Sequence, residues 1–158
     1  MAVATLCIIT WIVIIVFAIV RNRFTLVEIV FLYFTSFILT VTIFAILVVN
    51  LQWVPAGDSV EKAIALDICR FVEIPLLLIL SADVLNSSLR RHKRWLIATL
   101  IGTLLVINDW ILVSLGILEF RKWNYFYDFI AFLFFISTMS LIARWFNQLK
   151  QGGVKRID

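Results

Sequence analysis

Residues 24–49 read FTLVEIVFLYFTSFILTVTIFAILVV, and one charged side chain, Glu28, interrupts the stretch. As a helix rising 1.5 Å per residue it is about 39 Å long, more than the roughly 30 Å of hydrocarbon in a bilayer. Four more apolar runs accompany it, at residues 2–20, 63–85, 95–117 and 125–146. Each is near the ~20 residues that one crossing needs. The breaks fall at 21–23, at 51–62 with Pro55 and Gly57, at 86–94 and at 118–124. The first run has no positive leading region and no small-residue cleavage site, and Arg21 and Arg23 follow it, so it reads as a retained span. The expected fold is all-α: a polytopic transmembrane helical bundle of five spans. Residues 1–158 then form a single transmembrane domain, with 147–158 as a short basic tail.

Composition agrees. Of the 158 residues 63% are hydrophobic, and 15% are charged where a soluble domain carries about 25%. A soluble fold of this length cannot hide so much Phe, Ile, Leu and Val, so lipid has to solvate it. No basic stretch is long enough for a nucleic-acid surface. Cys7 and Cys69 both lie inside apolar runs, resemble no metal set, and read as packing residues. His92, the single histidine, leaves no pair of haem ligands and no histidine-bound metal centre. No cofactor is expected.

Orientation follows from the cations. With the N-terminus outside, ten Lys and Arg face the cytoplasm (Arg21, Arg23, Arg90, Arg91, Lys93, Arg94, Arg144, Lys150, Lys155 and Arg156). Lys62, Arg121 and Lys122 face out, and Arg70 is embedded. The positive-inside rule favours that arrangement, with the C-terminus cytoplasmic. Trp53 and Trp123 then mark the outer boundary, and Trp95 and Trp145 the inner one. The basic inner loop and tail face anionic headgroups or a cytoplasmic partner.

Ionisable groups inside spans are costly and need a reason. The third span carries Asp67, Arg70 and Glu73, whose i,i+3 spacing lets Arg70 reach both acids from one helix side. Glu73 lies roughly 15 Å below the outer face. Asn108 and Asp109 arrive at similar depth on the fourth span, and Asp128 opens the fifth. Pro75 lacks an N–H, which frees the carbonyl of Phe71 and predicts a kink beside Glu73. Nearer the inner face, Glu28 and Asp83 are expected to partner Arg21, Arg23 or Arg90, and Asn86, Ser87 and Ser88 to cap the third span. Ala98 and Gly102 make one small-residue step for a close helix crossing.

The C-terminal half resembles an uncharacterised family of small multi-span membrane proteins of endospore-forming Gram-positive bacteria. The features are Pro75 with Leu76, Leu77 and Leu78, a basic loop, Asp109-Trp110-Ile111, Gly116, Glu119-Phe120, Trp123-Asn124 and Tyr127-Asp128. The N-terminal half departs, because it lacks the Trp- and His-rich first loop associated with that family. The resemblance implies a bacterial cytoplasmic-membrane protein and no activity. It also draws attention to the outer loop, where Glu119, Trp123, Asn124 and Tyr127 would rim the polar cluster, with Gly116 ending the fourth span.

Three functional expectations result. The first is a non-enzymatic binding, sensor or accessory protein whose outward-facing pocket of Asp67, Arg70, Glu73, Asn108, Asp109 and Asp128 takes a small polar or cationic ligand. The second is a structural or assembly protein in which Arg70 is satisfied by Asp67 or Asp109, Glu73 is neutral, and charges only hold helices together. The third is proton or cation conductance through the acidic cluster, in an oligomer. A partner membrane protein is compatible with all of these. No nucleophile–base pair, metal box or phosphate loop accompanies the acids, so no catalytic residue is assigned.

Overall fold

The computed structural model describes residues 2–20, 23–55, 57 and 59–154, with side chains from Val3 to Leu149 among them. The described residues form helical rods and no β-strand. Helix α1 spans Ala2–Ile19, and α2 (Leu26–Phe44) runs on through π turns at Ala45–Asn50. A third rod joins α3 (Val60–Ile68), π turns at Cys69–Glu73, and α4 (Ile74–Leu85). Helices α5 (Arg91–Ser114) and α6 (Tyr125–Val154) complete the chain. Three stretches are long and apolar enough to cross a membrane: Leu26–Asn50, Arg91–Ser114 and Tyr125–Leu149. Helix α1 is apolar but shorter, and the third rod is interrupted by Asp67, Arg70 and Glu73.

That third rod is the axis of the bundle. Helix α4 packs against α1, α2, α5 and α6, and every residue from Leu77 to Asp83 is buried. A helix buried all round needs no polar face, and its charges are screened from the surroundings by the other rods. Those rods turn apolar side chains outward instead: Leu26 is 79% exposed, Leu96 68% and Phe126 66%. So much apolar exposure suits a lipid environment.

Several local expectations are met. Gly116 adopts φ +65° and ends α5, with its N–H on the carbonyl of Val113. Ala98 is fully buried, and a Cβ added to Gly102 would meet Ile136 and Leu133 of α6 at 3.6 Å, which locates the small-residue step at the α5–α6 crossing. Asn86 terminates α4, its amide donating to the carbonyl of Ala82 at 2.9 Å.

Others are corrected. Helix α5 starts at Arg91 rather than near Trp95, because its basic first turns are helical too. The expected tail after residue 146 is helix as far as Val154, since nothing in that stretch breaks α6 before the paired glycines Gly152 and Gly153, which the helix still includes. Asp83 does meet Arg23, one of its expected partners, through the backbone N–H at 3.1 Å, while the Arg23 guanidinium donates to Ser88 at 3.5 Å. Glu28 accepts the N–H of Thr25 at 2.6 Å, closing the first turn of α2, and has a further interaction besides; its expected partner Arg21 is outside the described residues, so that pairing is not corrected. Arg21, Lys155 and Arg156 lie outside the described residues, as does the side chain of Lys150.

Candidate functional site

The geometry of the polar residues starts from the π turn at Cys69–Glu73. A π turn adds a residue to the helical circuit, so side chains beyond it rotate away from the face that i,i+3 spacing predicts. Arg70 and Glu73 consequently part. The Arg70 guanidinium lies over the ring of Phe44, 4.1 Å from its centroid, a cation–π arrangement. Its Nε and Nη2 are buried without a hydrogen-bond partner, and it forms no ion pair with a described acid. The expected pairing of Arg70 with Asp67, Glu73 or Asp109 is therefore absent among the described residues, and Asp67 is exposed.

Pro75 follows the π turn instead of kinking a regular helix. The Phe71 carbonyl accepts the hydroxyl of Tyr33 on α2 at 2.8 Å. Sequence reading identified that carbonyl as free but not the residue that satisfies it.

Glu73 points to the opposite side and ties three rods together. One carboxylate oxygen accepts the Thr10 hydroxyl of α1. The other accepts the Asn108 amide of α5 at 2.8 Å, and that amide also contacts Cys69 Sγ at 2.9 Å. Glu73 is 1% exposed and Asn108 5%. Beside them, a cleft of about 270 Å³ runs between α1 and α5 toward the end where α4 stops, walled by residues such as Val13, Val16, Leu104 and Ile107. Thr10 was missed from the sequence; its signal was one of two hydroxyls, with Thr5, in a mostly apolar α1.

A second polar group lies on the α2–α6 side. The carboxyl groups of Asp109 on α5 and Asp128 on α6 face each other closely enough to interact directly. Both residues are buried, and Asp109 Oδ1 and Asp128 Oδ2 have no donor among the described residues. The indole N–H of Trp123 donates to the other Asp128 oxygen at 3.3 Å. A cavity of about 30 Å³ adjoins the pair, lined by Phe44, Val54, Trp123 and Phe132 among others. That is room for one water or one small ion.

The outer loops close over this pair. The N–H of Gly57 donates to Ile117 O at 2.9 Å, that of Glu119 to Pro55 O at 3.0 Å, and that of Arg121 to Trp53 O at 3.0 Å. Trp53 and Trp123 meet with ring centroids 6.2 Å apart, and Tyr127 packs on Trp123 at 5.8 Å. Of the expected rim, Trp123 thus touches the site directly and Tyr127 through it. Asn124 instead caps α6, its oxygen accepting the N–H groups of Phe126 and Tyr127 at 3.0 Å. Glu119 is exposed and pairs with Arg121 at 3.3 Å.

The six expected site residues are therefore divided. Glu73 and Asn108 share one network, Asp109 and Asp128 another, Arg70 sits against Phe44 beside the second, and exposed Asp67 acts on Arg70 without a close ion pair among the described residues. No group of three or more His, Cys, Asp or Glu among the described residues is arranged to hold a metal ion. No family model, curated protein or solved structure matches the chain.

Proposed function

We propose that the chain is a non-enzymatic, multi-pass membrane protein that holds an exchangeable proton, or one small cation, on the Asp109–Asp128 pair beneath its outer loops. The observation carrying this reading is the contact of two buried carboxyl groups, each with an oxygen that lacks a donor, next to a cavity of about 30 Å³. Two carboxyl groups hydrogen-bond to each other only by sharing a proton, and two unshared negative charges in that position require more positive charge than the nearby Arg70 supplies. The pair bridges α5 and α6, so its occupancy acts on the packing of those helices. Glu73, with a donor on each oxygen, serves as an interhelical tie rather than as the exchanging group. This division favours a binding or sensor role with a structural core, over conductance through all the acids.

The topology that fits is five spans with the N-terminus outside. The bundle gathers Arg23, Arg94 and Arg144 at the end where α4 stops, and the hydrogen-bonded loops at the other, which supports the positive-inside orientation. The resemblance in the C-terminal half supports the cytoplasmic membrane of a bacterium.

Infrared spectroscopy of the reconstituted protein through a pH titration tests this reading. The expected result is a carboxyl C=O band that appears and disappears with pH in wild type, is lost in both Asp109→Asn and Asp128→Asn, and persists in Glu73→Gln. A band lost only in Glu73→Gln moves the exchanging group to Glu73 and defeats the proposal.

A further inference from the structure

At the opposite end, the last turn of α4 and the facing turns of α5 and α6 enclose a pocket of about 400 Å³. Arg91, Arg94 and Arg144 line it together with Ser140, Trp95 and Leu141, and no acidic side chain does so among the described residues. Two of the guanidinium groups are fixed in place. Arg94 Nη1 donates to the carbonyls of Leu85 and Ser87 at 3.0 and 3.3 Å. Arg144 Nε donates to Asn86 Oδ1 at 2.6 Å, and its Nη2 to Leu85 O at 3.4 Å. These acceptors are carbonyls at the negative end of the α4 dipole and an amide oxygen, so the arginines are oriented without being neutralised. The bonds use part of each five-donor fork, the geometry that suits a phosphate.

The rest of the lining is apolar and open to the side. Trp95 is 45% exposed and Leu141 64%. Arg144 lies about 28 Å along α6 from Tyr125, one hydrocarbon thickness from the outer end of that helix. Three guanidinium groups with no acid against them among the described residues, beside an exposed indole and leucine at that depth, match an occupant with an anionic head and a hydrocarbon tail. We propose that this pocket binds the phosphate head of an anionic phospholipid of the inner leaflet, with its chains against Trp95 and Leu141. The assignment uses the membrane-spanning reading of α5 and α6 and is independent of the Asp109–Asp128 site.

Native mass spectrometry of the detergent-extracted chain, titrated with phosphatidylglycerol or with phosphatidylcholine, tests it. Wild type is expected to retain one phosphatidylglycerol in preference to phosphatidylcholine, with inorganic phosphate failing to displace it. Arg91→Gln and Arg144→Gln should each weaken retention about fivefold, the effect of roughly 1 kcal/mol per cation at an anionic surface. Arg91 makes no described hydrogen bond, so its variant keeps the test sharp should Arg144→Gln fail to fold. Equal retention of both lipids, or retention unchanged in Arg91→Gln, overturns the proposal. Displacement by inorganic phosphate assigns the pocket to free phosphate and overturns the lipid.

Discussion

Replacing Thr10 with Val removes one hydroxyl while keeping the shape of the side chain. In this structure the hydroxyl is a donor to Glu73 from α1, and both residues are under 10% exposed (8% and 1%). Valine offers no donor in that position, so the carboxyl group loses one of its two side-chain partners. Hydrogen bonds to charged groups contribute about 1.5–3 kcal/mol in soluble proteins, whereas interhelical ones in membranes average about 0.6 and reach about 1.7. Full burial and a carboxylate acceptor place Thr10→Val near the upper membrane figure, about 1–2 kcal/mol. That is a 5- to 30-fold shift in the unfolding equilibrium. Steric trapping of biotin-tagged protein in bicelles measures it, and Thr10→Ser should retain most of the stability. A double-mutant cycle with Glu73→Gln isolates the pair, with coupling above about 0.5 kcal/mol expected. A cost below about 0.3 kcal/mol, or equal costs for Val and Ser, would refute the claim that Glu73 ties α1 to the axis.

Tyr33→Phe strands the Phe71 carbonyl that Pro75 cannot serve; a loss of about 1 kcal/mol in the same assay is expected, and Pro75→Ala should not add a full second loss. Gly102 within α5 and Gly116 just past its end should part company. Gly116→Ala costs about 1 kcal/mol because its φ is +65°, whereas Gly102→Ala is neutral or stabilising, its new Cβ meeting neighbours no closer than 3.6 Å. Equal thermal shifts for both would contradict the conformational argument. Cysteines introduced at Gln52 and Leu89 in a background with Cys7 and Cys69 changed to Ser should react with an impermeant maleimide on intact cells at Gln52 alone, and the reverse pattern inverts the topology.

Much of the fold was legible because long apolar strings such as residues 24–49, broken only by Glu28, read as helices, and Gly116 and the Ala98–Gly102 step announced their roles by residue type. The third rod was legible as helix but not as the axis. Its apolar content matches the others, and only tertiary packing decides which rod the rest surround. The polar site was half legible. Asp109 and Asp128 share a depth on consecutive antiparallel spans, and the structure does bring them together. Arg70 and Glu73 misled because i,i+3 logic assumes a regular helix, and the π turn at Cys69–Glu73 rotates one against the other. Partners from distant rods, Thr10, Tyr33 and Phe44, leave no mark in local spacing.

Trp123 offers the most direct view of the central claim, because its indole N–H donates to Asp128. We would label the reconstituted protein with 5-fluorotryptophan, assign the Trp123 fluorine resonance by its loss in Trp123→Phe, and follow it through a pH titration. An exchangeable proton on the Asp109–Asp128 pair predicts that this resonance moves with pH in wild type and stands still in Asp128→Asn, while the Trp95 resonance does not respond. A Trp123 resonance indifferent to pH in wild type, or one that titrates unchanged in Asp128→Asn, would contradict the account.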